Sequence, residues 1–309
     1  MIAHWDDVEP KRADNAVLGF DRYDLGEAAG TVNVGLTRGK IDPGKQSSPV
    51  HIELDEEEIF YVLAGTGLSW QDGETYEVRA GDCIVHRVGE EAHTLIGGEG
   101  LDILAFGERT SPTSTWLPRP RIVRSGISFH VPEGEHPWAL EAAQGPLELP
   151  APSPRPANIV NLDEVEQYEG WRNVGRAAGS LRTGLKHVTV PPGQLNCPPH
   201  CHAQEEEIFV VLEGAGTLEL TPSPGLVDDG ATPEQHAVRA GHVVSRPAGT
   251  AIAHAFRAGD QGMTLLAYGE KKRHDVLYYP RSNKIMFRGV GVIARLDHLH
   301  YDVGEESPY

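Results

Sequence analysis

The chain has 309 residues, 35 of them Gly and 23 Pro, and a formal net charge of −18. That length suggests about two domains of roughly 150 residues. The acidity, without any clustered Lys/Arg stripe, argues against nucleic acid as a partner and is read as an aid to solubility.

Taken in chain order, the start MIAHWDDVEPKR has no apolar core segment of the kind a secretory leader needs. No window is apolar for long enough to span a membrane as a helix. The three cysteines, Cys83, Cys197 and Cys201, form no disulfide framework. A reducing, cytoplasmic location is therefore the expectation.

From residue 28 onward the chain repeats itself. Ala28-Ala29-Gly30 returns as Ala177-Ala178-Gly179, and Pro43-Gly44 as Pro192-Gly193. HIELDEEEIFYVLAGTG (51–67) returns as HCHAQEEEIFVVLEGAG (200–216), 149 residues later. VRAG at 78–81 returns at 238–241, after an insertion in SPGLVDDGATPEQH (223–236) that reads as a longer loop. AFGE (105–108) matches AYGE (267–270). Between the halves, PLELPAPSPRPAN (146–158) carries five prolines and is expected to be an extended linker. The expected division is residues 1–145, the linker 146–158, and residues 159–309.

Strand signals dominate both halves. IFYVLAG, IFVVLEG and GHVVSRPAG are short β-branched or aromatic runs bounded by Gly. Only VNLDEVEQYEGW (160–171) suggests a short helix. The expectation is an all-β chain of closed or double-sheet architecture.

The second half carries the clearest chemistry. Residues two apart on a strand face the same side, so His200 and His202 point together and Cys201 points away. Glu207 opens the next strand; if it faces the interior, so do Phe209 and Val211, while Ile208, Val210 and Leu212 face outward. His254 arrives from a distant strand. Three imidazoles and one carboxylate suit one divalent transition ion, such as Fe, Mn, Ni, Co, Cu or Zn. Four protein ligands leave coordination positions open for a substrate. The bland alternative, four polar residues meeting water, fits poorly because unmetallated His and Glu are poor fillers for a barrel interior.

In the first half the matching set is His51, Glu53, Glu58 and His93. With a carboxylate in place of the second His, it either takes a harder ion or is a relic in which Glu53 hydrogen-bonds His51.

Other polar residues near these motifs have simpler readings. Glu56, Glu57, Glu205 and Glu206 read as solvated turns. Cys201 reads as a buried structural cysteine. His298-Leu299-His300 is a second His-x-His outside both motifs and reads as an exposed terminal strand. Arg182, Lys186 and His187, about one strand before the site, are candidates for binding an anionic substrate.

Pro192-Gly193, His200, His202, Glu207 and the strand ending in Gly214 resemble the first motif of the cupin superfamily. Gly241, Pro247-Ala248-Gly249 and His254 resemble its second motif. The resemblance covers nearly all of both halves, so the chain looks like a bicupin. It implies two tandem jelly-roll barrels (the double-stranded β-helix) and a metal held by His200, His202, Glu207 and His254. Glu53 in place of a His, and Arg87 in place of the Pro of the second motif, depart from the pattern in the first half.

Cupins host many functions, so the fold does not name one. A metal-dependent enzyme, dioxygenase-like, acting on a small organic acid, phenolic or sugar-derived compound is the favoured expectation. The alternatives are an isomerase or decarboxylase, or a non-catalytic ligand-binding or storage bicupin with a structural metal. A regulator is disfavoured, since no segment reads as a DNA-binding helix-turn-helix. The expected partner is a small-molecule ligand, with neither nucleic acid nor membrane, and the chain is expected as a monomer or homodimer.

Overall fold

A computed structural model describes residues 1–109, 113–125, 128–130, 136–297, 299 and 303–304. His298 and His300 therefore lie outside the described residues. No helix among those described is long and apolar enough to cross a membrane.

Each half folds as a β-barrel built on two long antiparallel strands. In the first half these are Glu58–Gln71 and His93–Glu108; in the second, Glu207–Pro222 and Ile252–Glu270. One strand can serve both faces of a jelly roll only if it bends, and β-bulges supply the bend. Register shifts fall between Val62 and Ala64, and between Val211 and Glu213. Gly65 and Gly214 stand beside them at φ +87° and +74°. A Cβ at either would lie 2.0 or 2.2 Å from the carbonyl oxygen of Gly100 or Gly262. This is why each apolar strand run ends in Gly.

Strand alternation sorts the core into three parts. Phe209, Val211, Val244, Phe256 and Leu265 fill the second barrel. Phe60, Val62, Ile84, Leu95 and Ile103 fill the first. The other face does not meet solvent. Ile59, Tyr61, Phe106, Ile208, Val210 and Tyr268 form one apolar layer between the barrels. Phe106 and Tyr268 stack there with ring centroids 5.0 Å apart. At about 1.5–3 kcal/mol per buried large side chain, this layer binds the halves into one unit.

The halves also exchange strands. Ile2–His4 pairs with His242–Arg246 of the second barrel, and Ile159–Asn161 pairs with Asp82–His86 of the first. Each half thus begins with a strand that completes the other half's sheet.

Three sequence expectations need correction. First, Glu57, Glu205 and Glu206 are not solvated; they are 1 %, 3 % and 0 % exposed. Glu206 accepts hydrogen bonds from the backbone of Val32 and Asn33 and from Ser245 Oγ. Glu57 accepts from Ser180 Oγ at 2.7 Å, Leu181 N at 2.8 Å and Thr183 Oγ1 at 2.6 Å. Each carboxylate caps a loop of the opposite half, and the loops are themselves repeat partners. Second, segment 160–171 holds only one 3-10 turn, Leu162–Glu164, capped by Asn161. Third, segment 223–236 is not all loop. It contains the short helix Pro224–Asp228 and the start of the strand Glu234–Arg239. Segment 146–158 forms neither helix nor strand and is tied to the first barrel: Arg155 makes a paired 2.8 Å ion bridge to buried Asp82.

Candidate metal centre

The backbone brings the outer histidines together before any side chain acts. His200 and His254 face each other as an antiparallel bridge, as do His51 and His93. The strands Glu207–Pro222 and His242–Arg246 set Glu207 opposite Arg246. Phe209 and Val244 share that inward face, as the alternation predicts.

In the second barrel Glu207 Oε2 lies 3.0 Å from His254 Nε2 and 3.3 Å from His202 Nε2. All three atoms are buried and none has a hydrogen-bond partner. His200 belongs to the same group, its ligand atom within 4.8 Å of those of Glu207 and His254. Two atoms bound at right angles to one ion, each about 2.1 Å from it, stand about 3 Å apart. The two distances from Glu207 Oε2 match that spacing. The donor set therefore fits a divalent transition ion.

The remote ring nitrogens are fixed. His200 Nδ1 lies 2.9 Å from the Pro198 carbonyl, and His202 Nδ1 lies 2.7 Å from Asp275 Oδ2. A donor hydrogen on each Nδ1 leaves each Nε2 with a lone pair toward the centre. Asp275 is fully buried and also accepts from Gln204 N. The sequence reading missed it, for nothing in KKRHDVLYY marks one acid as facing a histidine 73 residues earlier. Glu205 also approaches His202 Nδ1, at 3.6 Å. It is held by Arg288 Nη1 and Lys272 N, both at 2.7 Å, so that corner already has its cation.

Without an ion the site is strongly polarised. Glu207 is held well below the usual carboxylate range: burial opposes this, and the facing imidazoles of His202 and His254 outweigh it. His202 is pushed up to about 10, since Asp275 and Glu207 outweigh the penalty of burial. His254 is pushed down to about 4 by burial. A proton on His202 occupies the place a metal would take, so metal binding there displaces it.

The first barrel keeps the same spacing with other residues. Glu58 Oε2 lies 3.0 Å from His93 Nε2 and 3.3 Å from His51 Nε2. Glu53 does not hydrogen-bond His51 as a relic site would require. It stands 3.7 Å away and accepts from Thr115 Oγ1 at 2.9 Å. His86, at the position of Arg246, stacks flat on His93 at 3.6 Å.

The neighbouring cations sort differently from expectation. Arg182 pairs with Glu108 across the barrels at 2.9 Å. Lys186 is exposed, with Nζ 4.9 Å from the Trp171 ring centroid, and His187 is half-buried. The cation that lines the centre's cavity is Arg246, with His202, His254 and Thr250; Cys201, Pro247 and Ile252 complete the wall. Its free space is about 170 Å³, in slots too narrow for a water molecule. Cys201 is buried, as expected, with Sγ 3.9 Å from the Tyr278 carbonyl. Cys197 lies nearer, its Sγ 3.8 Å from His200 Nδ1, and burial pushes its thiol up to about 12. Tyr279 stacks on His200 at 5.6 Å.

Comparison with known proteins adds the wider setting. The cupin domain family matches twice, over residues 37–100 and 186–268. No curated protein matches the sequence. Among solved structures, oxalate decarboxylase from Bacillus subtilis is similar over 88 % of this chain and 76 % of its own, at 17 % identity and a TM-score of 0.60. A second structure of that enzyme, from work on its Mn(II) centres, covers 89 % and 78 % at 17 % identity and TM-score 0.60. The Lactobacillus farciminis oxalate decarboxylase formate complex covers 87 % and 86 %, at 14 % identity and TM-score 0.60. At these identities the likeness speaks for fold. With a cupin domain match in each half and a jelly-roll barrel under each, the chain carries two cupin domains in tandem.

Proposed function

We propose that this bicupin is a metal-dependent enzyme acting on a small organic acid at the C-terminal site, with dioxygenase-type chemistry as the favoured class. The observation that carries the reading is the buried Glu207 Oε2, 3.0 Å from His254 Nε2 and 3.3 Å from His202 Nε2, with the ligand atoms of His200, Glu207 and His254 all within 4.8 Å of one another. His200, His202, Glu207 and His254 would hold the ion. A bound divalent ion would supply a Lewis-acid or redox centre with open positions.

The chain's own residues do the rest. Asp275 and the Pro198 carbonyl hold two imidazoles in the tautomer that faces the centre. Phe209, with its ring 5.3 Å from that of His254, and Phe256 behind it form an apolar floor that keeps water out. Decarboxylation is the second reading, supported by the activity named for the similar structures.

The test is turnover by metal-loaded protein on a panel of short mono- and dicarboxylates and phenolic acids, following O2 uptake and CO2 release together. The expected result is O2-linked turnover, reduced by roughly 100-fold or more in His202→Ala. CO2 release without O2 uptake would replace the favoured class by the second. Neither signal from protein shown to carry metal would sink the enzyme reading and leave a binding module.

A further inference from the structure

We infer that Arg246 is the docking point for a carboxylate group of the ligand in the C-terminal barrel. This rests on the metal-site reading above and names the part of that site which recognises charge.

Arg246 occupies an unusual position. It is 8 % exposed, on an inward-facing strand position directly opposite Glu207. Its Nη2 donates to the Ile252 carbonyl at 2.9 Å, which anchors the head. Its Nε is buried and has no partner. It has no salt bridge among the described residues. Half-buried arginines elsewhere are paired: Arg38 with Asp102, Arg119 with Glu141 and Arg155 with Asp82. A buried charge without a counter-ion is costly, so such a residue is kept where something arrives to pair with it. Arg246 lines the same cavity as His202 and His254.

Charge counting gives the same answer. A divalent ion with three neutral imidazoles, the Glu207 carboxylate and the Asp275 carboxylate behind His202 sums to zero. Arg246 then leaves one net positive charge, in a site with little water. An anion is the natural complement, and a guanidinium edge matches a carboxylate in shape as well as sign. In the first barrel the matching position is His86, and Glu53 adds a second carboxylate beside Glu58. No fixed cation stands at the His86 position, and the cation that acts on Glu53 and Glu56 there is Arg124, from another strand.

The wall must give for a ligand to enter. The segment closing the cavity, 247–251, holds Ala251 at φ +56°, a backbone region that favours Gly and stores strain in other residues.

The experiment uses full-length, metal-loaded protein and calorimetric titration with oxalate and formate, and with the neutral amides oxamide and formamide. Elemental analysis of each variant accompanies it. Wild type should bind at least one carboxylate in preference to its amide. Arg246→Gln should keep its metal and bind that carboxylate roughly 10- to 100-fold more weakly, with no change for the amide. Arg246→Lys, which keeps the charge and loses the fork, should fall between them, and it serves if the Gln variant does not fold. Metal-bearing wild type that ignores both carboxylates would overturn the assignment while leaving the metal site standing. So would equal affinity in wild type and a folded, metal-bearing Arg246→Gln.

Discussion

At the scale of single residues, the centre divides into what spacing reveals and what it hides. His200, His202 and Glu207 are legible because a two-residue strand period puts two imidazoles on one face. Asp275 and Arg246 are hidden because their roles depend on which way a distant strand faces, a choice the period alone leaves open. The structure makes Asp275 testable. It lies 2.7 Å from His202 Nδ1 and fixes the tautomer. Asp275→Asn keeps the shape and removes the charge. It should weaken metal affinity about 10- to 100-fold in a chelator competition, with the circular dichroism spectrum unchanged. Undiminished affinity would mean that His202 is oriented by packing alone.

At the scale of elements, the long bent strands were readable from their apolar runs and terminal glycines. The carboxylates beside them were not. Glu57 and Glu206 stand in a run of acids that looks like a solvated turn. Their partners, the loops at 180–183 and 32–33, lie more than 120 residues away. Burial raises the pKa of Glu57, but bonds from Leu181, Thr183 and Ser180 outweigh it, so the carboxyl sits below its ordinary value of 4.5. The stabilisation is therefore full above about that pH and is lost as pH falls through the lower folded value. Glu57→Gln points an amide at donors and should cost about 2–4 kcal/mol at neutral pH. Urea unfolding at neutral pH and at pH below 4.5 checks both points: wild type should lose more stability on acidification than the variant does. Parallel losses would show that the Glu57 clamp does not titrate.

At the scale of the whole molecule, the internal repeat disclosed two barrels but not how closely they are joined. Ile208 and Val210 were expected merely to face away from the interior. They meet Ile59, Tyr61 and Phe106 of the other barrel in one buried layer. The exchanged strands Ile2–His4 and Ile159–Asn161 were also illegible, since a three-residue strand carries no signal of which sheet it completes. This joining keeps two similar shells in one molecule. One has three imidazoles and a carboxylate. The other has two imidazoles, with Glu58 at the same 3.0 and 3.3 Å spacings and Glu53 nearby.

The most direct test is elemental analysis of protein purified without chelators, for wild type and His202→Ala. The account predicts about one equivalent of a divalent transition metal held by the C-terminal site, absent from the variant; a second equivalent, retained in His202→Ala, would place another ion in the first barrel. Wild type with no metal, or His202→Ala with undiminished metal, would contradict the claim that His200, His202, Glu207 and His254 surround a cation.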